Sequence, residues 1–171
     1  LGRYERRKGI EELHEVIAAN PHWAEKAQFR FVGPIPEDKR LSLRHVSYSG
    51  SISDPVLLRQ ELHASDVLLC PSHSEGMPNS ILEGMASGLA VIATDVGAVR
   101  LMVSKDNGIL LPSPTTAALA SVIERMTETP VELMGALKEE SLAKSRAFSW
   151  SSIARQTLGL ISAEVRLNTS R

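Results

Sequence analysis

PSHSEGMPNSILEGMASGLAVIATDVG, residues 71–97, is the stretch of sequence that decides the fold. A largely apolar run at residues 66–70 precedes it, and a second apolar run occupies residues 89–93. Between Glu75 and Glu83, the sequence Gly-Met-Pro-Asn-Ser is typical of a loop that enters a helix. A strand, a loop, a helix and a second strand in this order predict a βαβ unit.

The remainder of the chain alternates in the same way. Apolar residues at helical or strand spacing, bounded by Pro and Gly, predict the helices and strands. The predicted helices are residues 8–20, 55–64, 78–87, 115–128, 131–146 and 150–166. The predicted strands are residues 29–33, 45–48, 66–70, 89–94 and 108–111. Strands that alternate with helices indicate an α/β fold around a parallel sheet.

The last predicted helix begins with a tryptophan. We expect Trp150 to be a packing anchor at the point where this helix starts. We also expect the helix to bury one apolar side, made up of Ile153, Thr157, Leu158, Ile161 and Val165.

Length and composition are those of one globular domain. The chain has 171 residues, of which 43% are hydrophobic and 23% charged. The formal net charge of −1 gives no overall attraction to nucleic acid or to an anionic membrane. A single cysteine, Cys70, cannot form an internal disulfide, which is consistent with a reducing compartment. No apolar run approaches the ~18 residues of a membrane-spanning helix, and the histidines form no spaced set of metal ligands.

The start of the predicted helix suggests a site for an anionic ligand, because free N–H groups and the helix dipole meet there. Pro78 suits the first helical turn, and the amides of Asn79 and Ser80 would then face a phosphate. If the whole span were helical, Glu75 and Glu83 would lie about 12 Å apart along the axis. That separation exceeds the ~5–9.5 Å between the two carboxylates of a glycosidase. It therefore favours contacts of the two glutamates with different ends of one long ligand over joint action on one bond. The same spacing also fits an ordinary helix start without a ligand, in which Glu83 lies on the solvent-exposed face of the helix.

A cluster of positive charge lies at the start of the chain. The loop of residues 2–9 carries cations that could neutralise a diphosphate, namely Arg3, Arg6, Arg7 and Lys8. For Arg6 and Arg7, a solvated basic turn is the favoured interpretation. A further glycine-bearing loop, with Gly50 and Ser51, follows a predicted strand and is weak evidence by itself.

Together these segments resemble the C-terminal, donor-binding domain of retaining GT-B glycosyltransferases of group 1, often called GT4. The signature of that family is two glutamates with seven residues between them, placed after a strand and running into a helix, and residues 75–83 fit it. Other segments agree in the same order, namely residues 2–9, 64–67, 85–93, 107–112 and 148–150. Ala90 departs from the pattern, which usually has proline there, and Arg100 and Leu101 replace a frequent Pro-Glu.

The resemblance implies a Rossmann-like, three-layer α/β/α fold with a mainly parallel sheet, the C-terminal half of a GT-B enzyme. It also implies roles for individual residues. Arg3 and Lys8 would hold the donor diphosphate. Glu75 would contact the hydroxyls of the donor sugar near the reacting carbon, and Glu83 would bind the ribose hydroxyls. The remaining donor-binding residues would be Gly50, Ser51, Gly76, Met77, Pro78, Asn79 and Ser80.

The implied reaction transfers a hexosyl group from a UDP-, GDP- or ADP-sugar to a glycan or a lipid-linked acceptor, with retention of configuration. Neither a metal nor another cofactor is expected, and no nucleic acid is expected as a partner. In the usual proposal for this family, the leaving diphosphate itself deprotonates the incoming hydroxyl. Arg3, Lys8 and the helix amides would then neutralise the leaving group, while Glu75 would orient the sugar.

The resemblance covers nearly the whole chain, so we expect residues 1–171 to be one nucleotide-sugar-binding domain. We expect it to be a fragment that lacks the N-terminal acceptor domain, because Leu1-Gly2-Arg3 has the character of a strand end without its strand. The last helix commonly reaches toward that other domain, which would leave part of its apolar surface exposed here. We expect a cytoplasmic protein, peripheral at the inner face of a membrane when full length, and a fragment that binds donor weakly without turnover.

Two alternatives remain. Nucleotide-sugar epimerases and sugar phosphorylases share the GT-B architecture, although the glutamate spacing and the opening Arg3 and Lys8 argue against them. A non-catalytic nucleotide-binding or interaction module on the same fold is the other alternative. The presence of Glu75 and Lys8 argues against it.

Overall fold

The computed structural model describes residues 1–169 of the chain. The strands are β1 (Phe29–Val32), β2 (Val46–Gly50), β3 (Val67–Cys70), β4 (Ala90–Thr94) and β5 (Gly108–Leu111). The helices are α1 (Ile10–Ala19), α2 (Pro55–His63), α3 (Asn79–Ala86), α4 (Val99–Met102), α5 (Thr116–Thr127), α6 (Val131–Ser145) and α7 (Trp150–Thr169). Short 3-10 turns occupy Arg6–Lys8, Pro21–Glu25, Glu37–Lys39 and Arg146–Phe148.

The strands form two parallel sheets. In one, β1 pairs with β2, and in the other the order is β3-β4-β5. The predicted α/β class with parallel strands is confirmed, and the predicted βαβ unit is β3-α3-β4. The single sheet expected from the sequence is divided, because in the described residues β1 and β3 have no strand between them.

Strand β4 lies at the centre of the packing. Every residue from Ala90 to Thr94 is buried, because the strand is paired on both edges and covered on both faces. Ala90 and Ile92 belong to the hydrophobic cluster that contains residues of α1 and α5. Val91 and Ala93 belong to a second cluster with residues of α3 and α4. Helices on both faces of the strands give the three-layer α/β/α arrangement.

The helices differ from the sequence-based expectations at three points. Helix α4 has only four residues, too short to leave a periodic apolar pattern, and the sequence did not predict it. The role expected of Trp150 is wrong, since 88% of this residue is exposed. The apolar side expected to be buried in α7 is also exposed, at Ile153, Thr157, Leu158 and Ile161. The side chain of Val165 lies outside the described residues.

Helix α5 is joined through one carboxylate to the segment that follows α1, the 3-10 turn Pro21–Glu25 and Lys26. Glu124 accepts hydrogen bonds from the buried Trp23 indole, from His22 at 2.9 Å and from Lys26 at 3.1 Å. The bond from Trp23, followed by those from His22 and Lys26, lowers the pKa of Glu124 to about 2. The ionised carboxylate therefore favours the folded state.

We predict that Glu124→Gln lowers the free energy of unfolding at pH 7, and that the difference from the parent chain shrinks in acid. Because the folded-state pKa of about 2 lies below the ordinary 4.5, the stabilisation is complete above pH 4.5 and is lost as the pH falls through 2. Urea unfolding at a series of pH values measures it. Glu128→Gln is the matched control, because Glu128 bonds Lys26 but neither ring. An equal difference at every pH would contradict the prediction.

Candidate functional site

The two glutamates of the signature lie in different kinds of structure. Glu75 is in the loop between β3 and α3, and the helix begins only at Asn79. The separation of about 12 Å, which holds only if the whole span is helical, therefore does not apply to this structure. Glu83 lies in the second turn of α3. Pro78 occupies the cap position just before the helix rather than its first turn.

The carboxylate of Glu75 is the most enclosed charge of the site. Only 5% of its side chain is exposed. Lys8 Nζ lies 2.6 Å from Oε1, Ser72 Oγ donates to the same oxygen at 2.7 Å, and the Arg7 guanidinium is 3.6 Å from Oε2. Burial of a carboxylate costs free energy unless a cation and hydrogen bonds compensate it. Lys8 and Ser72 provide that compensation, and they hold the start of the chain against the β3-α3 loop.

Arg7 is a residue whose part in the site the sequence did not predict. The sequence favours a solvated turn for Arg7, yet its guanidinium approaches Glu75 and also pairs with Glu5 at 2.7 Å. Arg3, in contrast, is exposed and pairs with Glu5 at 3.1 Å. In sequence, Glu5 among the arginines indicates local ion pairs, but no local signal reports the contact of Arg7 with Glu75.

A second set of bonds fixes the same loop. The His73 amide donates to Arg7 O at 2.8 Å, and His73 Nε2 lies 2.8 Å from Glu12. Arg6 also bonds Glu12. Burial acts to raise the pKa of Glu12, but the hydrogen bond from Arg6, a backbone bond and the bond from His73 outweigh it and lower the pKa. His73 therefore holds the β3-α3 loop against the first turn of α1.

The segment that enters α3 is open to solvent. Gly76, Met77 and Asn79 are exposed, Ser80 is half-buried, and Pro78 is buried. The first bonded helical amide is that of Ile81, which donates to Pro78 O at 3.1 Å. The amides of residues 79 and 80 precede this bond and lie at the positive end of the helix dipole.

Glu83 shares a helical face with the start of α3. It follows Asn79 by four residues and Ser80 by three, the spacings at which side chains lie next to one another on a helix. Glu83 is exposed, yet partial desolvation raises the pKa of its carboxyl group. A ligand along this face would meet the amides and then the carboxylate.

Gly50 and Ser51 lie at the carboxyl end of β2, in the other sheet. Gly50 has a left-handed φ of 67°, and its carbonyl accepts from the Gly33 amide at 2.7 Å. The Gly2 amide donates to Val32 O at 2.8 Å, so the basic loop begins at the carboxyl end of β1 and ends against Glu75. Both predicted parts of the site thus lie on the side formed by the carboxyl ends of the strands, where open α/β sheets bind ligands.

Two glycines support the site, although the sequence did not single them out. Gly9 has φ 66°, and a Cβ there would lie 1.9 Å from Pro71 O. Gly97 has φ 55°, and a Cβ there would lie 2.1 Å from Glu75 O. Only glycine allows these close backbone approaches. Gly9 ends the basic loop of residues 2–9 and Gly97 ends the stretch of residues 71–97, but sequence alone does not show which backbone each of them touches.

Two absences hold for the part of the chain that the structure describes. No group of three or more His, Cys, Asp or Glu side chains is arranged to hold a metal ion. None of the helices there is both long enough and apolar enough to span a membrane.

Comparison with known proteins identifies the family. Residues 1–129 match the model of the family described as glycosyl transferases group 1. The chain is 34% identical over 125 residues to TuaC of Bacillus subtilis strain 168, a candidate teichuronic acid biosynthesis glycosyltransferase. It is 27% identical over 170 residues to the phosphatidyl-myo-inositol mannosyltransferase of Mycobacterium leprae. The chain belongs to the group 1 glycosyltransferase family.

The share of these relatives that the chain covers is small. The matches cover 73% and 92% of this chain but only 31% of TuaC and 44% of the mannosyltransferase. The chain thus spans less than half the length of either relative.

Solved structures agree with the fold. The C-terminal domain of LpcC, a group 1 family protein from Francisella tularensis, has a TM-score of 0.73 at 22% identity, over 86% of this chain and 82% of that domain. Sucrose-phosphate synthase from Thermosynechococcus elongatus has a TM-score of 0.78 at 26% identity, over 97% of this chain and 45% of that protein.

We predict that Gly9→Ala lowers the free energy of unfolding by about 2 kcal/mol or more, because the methyl group would meet Pro71 O and the φ is left-handed. Gly76→Ala is the matched control, since a Cβ there has nothing within 4 Å, and it should change stability by less than about 0.5 kcal/mol. Urea unfolding of the two variants measures both values. Equal stability of the two variants would contradict the close approach.

We predict that Lys8→Ala lowers the free energy of unfolding by about 2 kcal/mol, because it leaves the enclosed Glu75 without its nearest cation. A double-mutant cycle with Glu75→Gln should give a coupling energy of about 1 kcal/mol or more. The same cycle on the exposed pair Arg3–Glu5, in the same loop, should give less than about 0.5 kcal/mol. Equal coupling in the two pairs would contradict a special role for Lys8.

Proposed function

We propose that this domain binds the nucleotide-sugar donor of a retaining glycosyltransferase. One observation carries the proposal: an enclosed Glu75–Lys8 pair lies next to the open N-terminal end of α3, with Glu83 on the next turn of the same helix. The site therefore presents four groups in order: the Glu75 carboxylate, the Lys8 ammonium, the amides of residues 79 and 80, and the Glu83 carboxylate. A nucleotide sugar presents matching groups in the same order, namely sugar hydroxyls, a diphosphate and ribose hydroxyls.

Each group of the donor has a partner in this arrangement. Glu75 accepts from sugar hydroxyls, and Lys8 binds the diphosphate with Arg3 and the amides of residues 79 and 80. Glu83 accepts from the ribose hydroxyls. Gly50 and Ser51 bound the nucleotide at the carboxyl end of β2. Because Lys8 contacts Glu75 directly, the sugar and the adjoining phosphate meet at one point of the site.

Related structures support a nucleotide diphosphate as the ligand. Anabaena HepE was solved in complex with UDP and, separately, with UDP and glucose. It has a TM-score of 0.73 in the UDP complex at 22% identity, over 95% of this chain and 48% of HepE, so the likeness itself concerns the fold.

Retention follows from chemistry on one face of the sugar. The bond from the anomeric carbon to the diphosphate oxygen breaks, and a bond to the acceptor oxygen forms on the same face. The departing diphosphate takes the proton of the acceptor hydroxyl. Lys8, Arg3 and the helix amides stabilise the charge that develops on the leaving group, and Glu75 orients the sugar.

The acceptor is a glycan or a lipid-linked sugar, bound by a part of the polypeptide outside residues 1–171. The enzyme acts in the cytoplasm, at the inner face of a membrane when its acceptor is lipid-linked. This chain by itself binds donor without transferring sugar.

The assignment of groups predicts a different effect for each variant. UDP, GDP and ADP are first titrated by calorimetry to find the base that binds best. Lys8→Ala should then weaken pyrophosphate, that nucleotide and its sugar alike, by about tenfold or more. Glu83→Gln should weaken the nucleotide and the nucleotide sugar but not pyrophosphate, because only the first two carry ribose. Glu75→Gln should weaken only the nucleotide sugar.

Glu139→Gln, an exposed carboxylate on α6, is the control and should leave all three affinities unchanged. An interaction module that binds no nucleotide would show no heat with any of the three nucleotides. A phosphorylase half would respond to inorganic phosphate instead. Equal weakening of every ligand by Glu83→Gln would contradict the place assigned to the ribose.

A further inference from the structure

The segment that follows β4 departs from the family pattern, because Arg100 and Leu101 replace a frequent Pro-Glu. Leu101 is exposed, whereas Arg100 forms two hydrogen bonds with Asp95. Arg100 Nε donates to Asp95 Oδ1 at 3.0 Å, and Arg100 Nη2 donates to Asp95 Oδ2 at 2.8 Å. Two parallel bonds between a guanidinium and a carboxylate form a fork, which fixes direction as well as distance.

The fork joins the two ends of a short turn. Asp95 directly follows β4, and Arg100 belongs to α4, whose residue Val99 is buried. The turn of residues 96–98 lies between them and contains Gly97, with a left-handed φ of 55°. Because glycine restrains the backbone less than any other residue, the restraint on this turn must come from its two ends. The fork connects those ends through side chains.

The same turn packs against the loop that carries Glu75. The Ala98 amide donates to Gly76 O at 2.8 Å. A Cβ at Gly97 would lie 2.1 Å from Glu75 O and 2.7 Å from Gly76 O, so the two backbones are in close contact. Closely packed groups transmit a displacement instead of absorbing it. A shift of the turn therefore moves the backbone of Glu75.

We propose that Asp95 and Arg100 are positioning residues for Glu75. Their fork fixes the turn of residues 96–98, and this turn fixes the backbone from which Glu75 extends its carboxylate. Because the side chains of Arg100 and Asp95 are 67% and 28% exposed, the pair contributes little to global stability. Its effect is on local geometry, where a displacement of about 1 Å can lower activity about 100-fold.

Direct contact of Arg100 with a ligand is the alternative role, and it predicts the opposite sign for one variant. If Arg100 bound the ligand, Asp95 would compete for its guanidinium, and Asp95→Asn would strengthen binding. In a positioning role Asp95→Asn weakens binding, because an amide offers only one oxygen and the fork is lost. Arg100→Lys separates charge from geometry, because lysine keeps the charge but cannot form the fork.

Amide hydrogen exchange tests the fork without any ligand. Asp95→Asn and Arg100→Lys should each speed exchange at the Ala98 amide by about fivefold or more, because its bond to Gly76 O opens more often. The double variant should exchange no faster than either single variant, because both substitutions remove the same fork. The midpoint of thermal unfolding should fall by less than about 3 °C. The Leu119 amide, in the first turn of α5, serves as the internal reference.

A second readout, ligand affinity, rests on the proposed function. The probes are UDP, GDP and ADP with their glucose esters, and the nucleotide and ester that bind the parent chain best are used. Each variant should weaken binding of the ester at least about threefold more than binding of the free nucleotide, since Glu75 is assigned to the sugar. Lys138→Ala is the matched control, because it breaks an exposed 2.8 Å ion pair with Asp66 before β3. It should change neither affinity nor exchange at Ala98.

Four results would overturn the positioning role. They are unchanged exchange at Ala98 in either single variant, effects that multiply in the double variant, tighter ligand binding by Asp95→Asn, and parent-like behaviour of Arg100→Lys. A parent chain that binds none of the six probes would contradict the proposed function instead. Exchange at Ala98 would still decide the positioning role in that case, so the two failures are distinguishable.

Discussion

The pairing of Lys8 with Glu75 joins the two parts of the domain on which the site depends. A carboxylate with 5% of its side chain exposed is stable in the fold only beside a cation, and Lys8 provides that cation from 67 positions earlier in the chain. Close backbone approaches at Gly9 and Gly97 allow the pair to form, because both glycines border the loop that carries Glu75. The basic loop, the β3-α3 loop and the turn after β4 are therefore one packed unit.

This packing gives the site a rigid end and an open end. Glu75, Ser72 and Lys8 are fixed by mutual bonds, while Met77, Asn79 and Glu83 are exposed. A ligand that enters at the start of α3 reaches a preformed ion pair and must bind both of its members. In the proposed reaction, preformed charge of this kind would stabilise the departing diphosphate with little reorganisation.

The sequence predicted the elements that local pattern controls. Strand β4 is an unbroken apolar run, which is typical of a buried parallel strand. Pro78 favours the backbone conformation found where a helix starts, and α3 begins directly after it. The pattern did not predict α4, whose single turn is too short to show a repeat, or the exposure of Trp150 at the start of α7. It also assigned Arg7 to solvent, because no local signal reports a partner at Glu75, far along the chain.

The sequence by itself determined the order of strands and helices, the spacing of Glu75 and Glu83, and the family resemblance, because each depends on neighbours in the chain. Only the tertiary structure decided that Lys8 rather than Arg3 lies against Glu75, that Gly9 and Gly97 closely approach the backbone of the loop that carries Glu75, and that the strands form two sheets. These depend on burial and on contacts between distant segments. The physical reason is that desolvation and backbone pairing act through space, whereas periodicity acts along the chain.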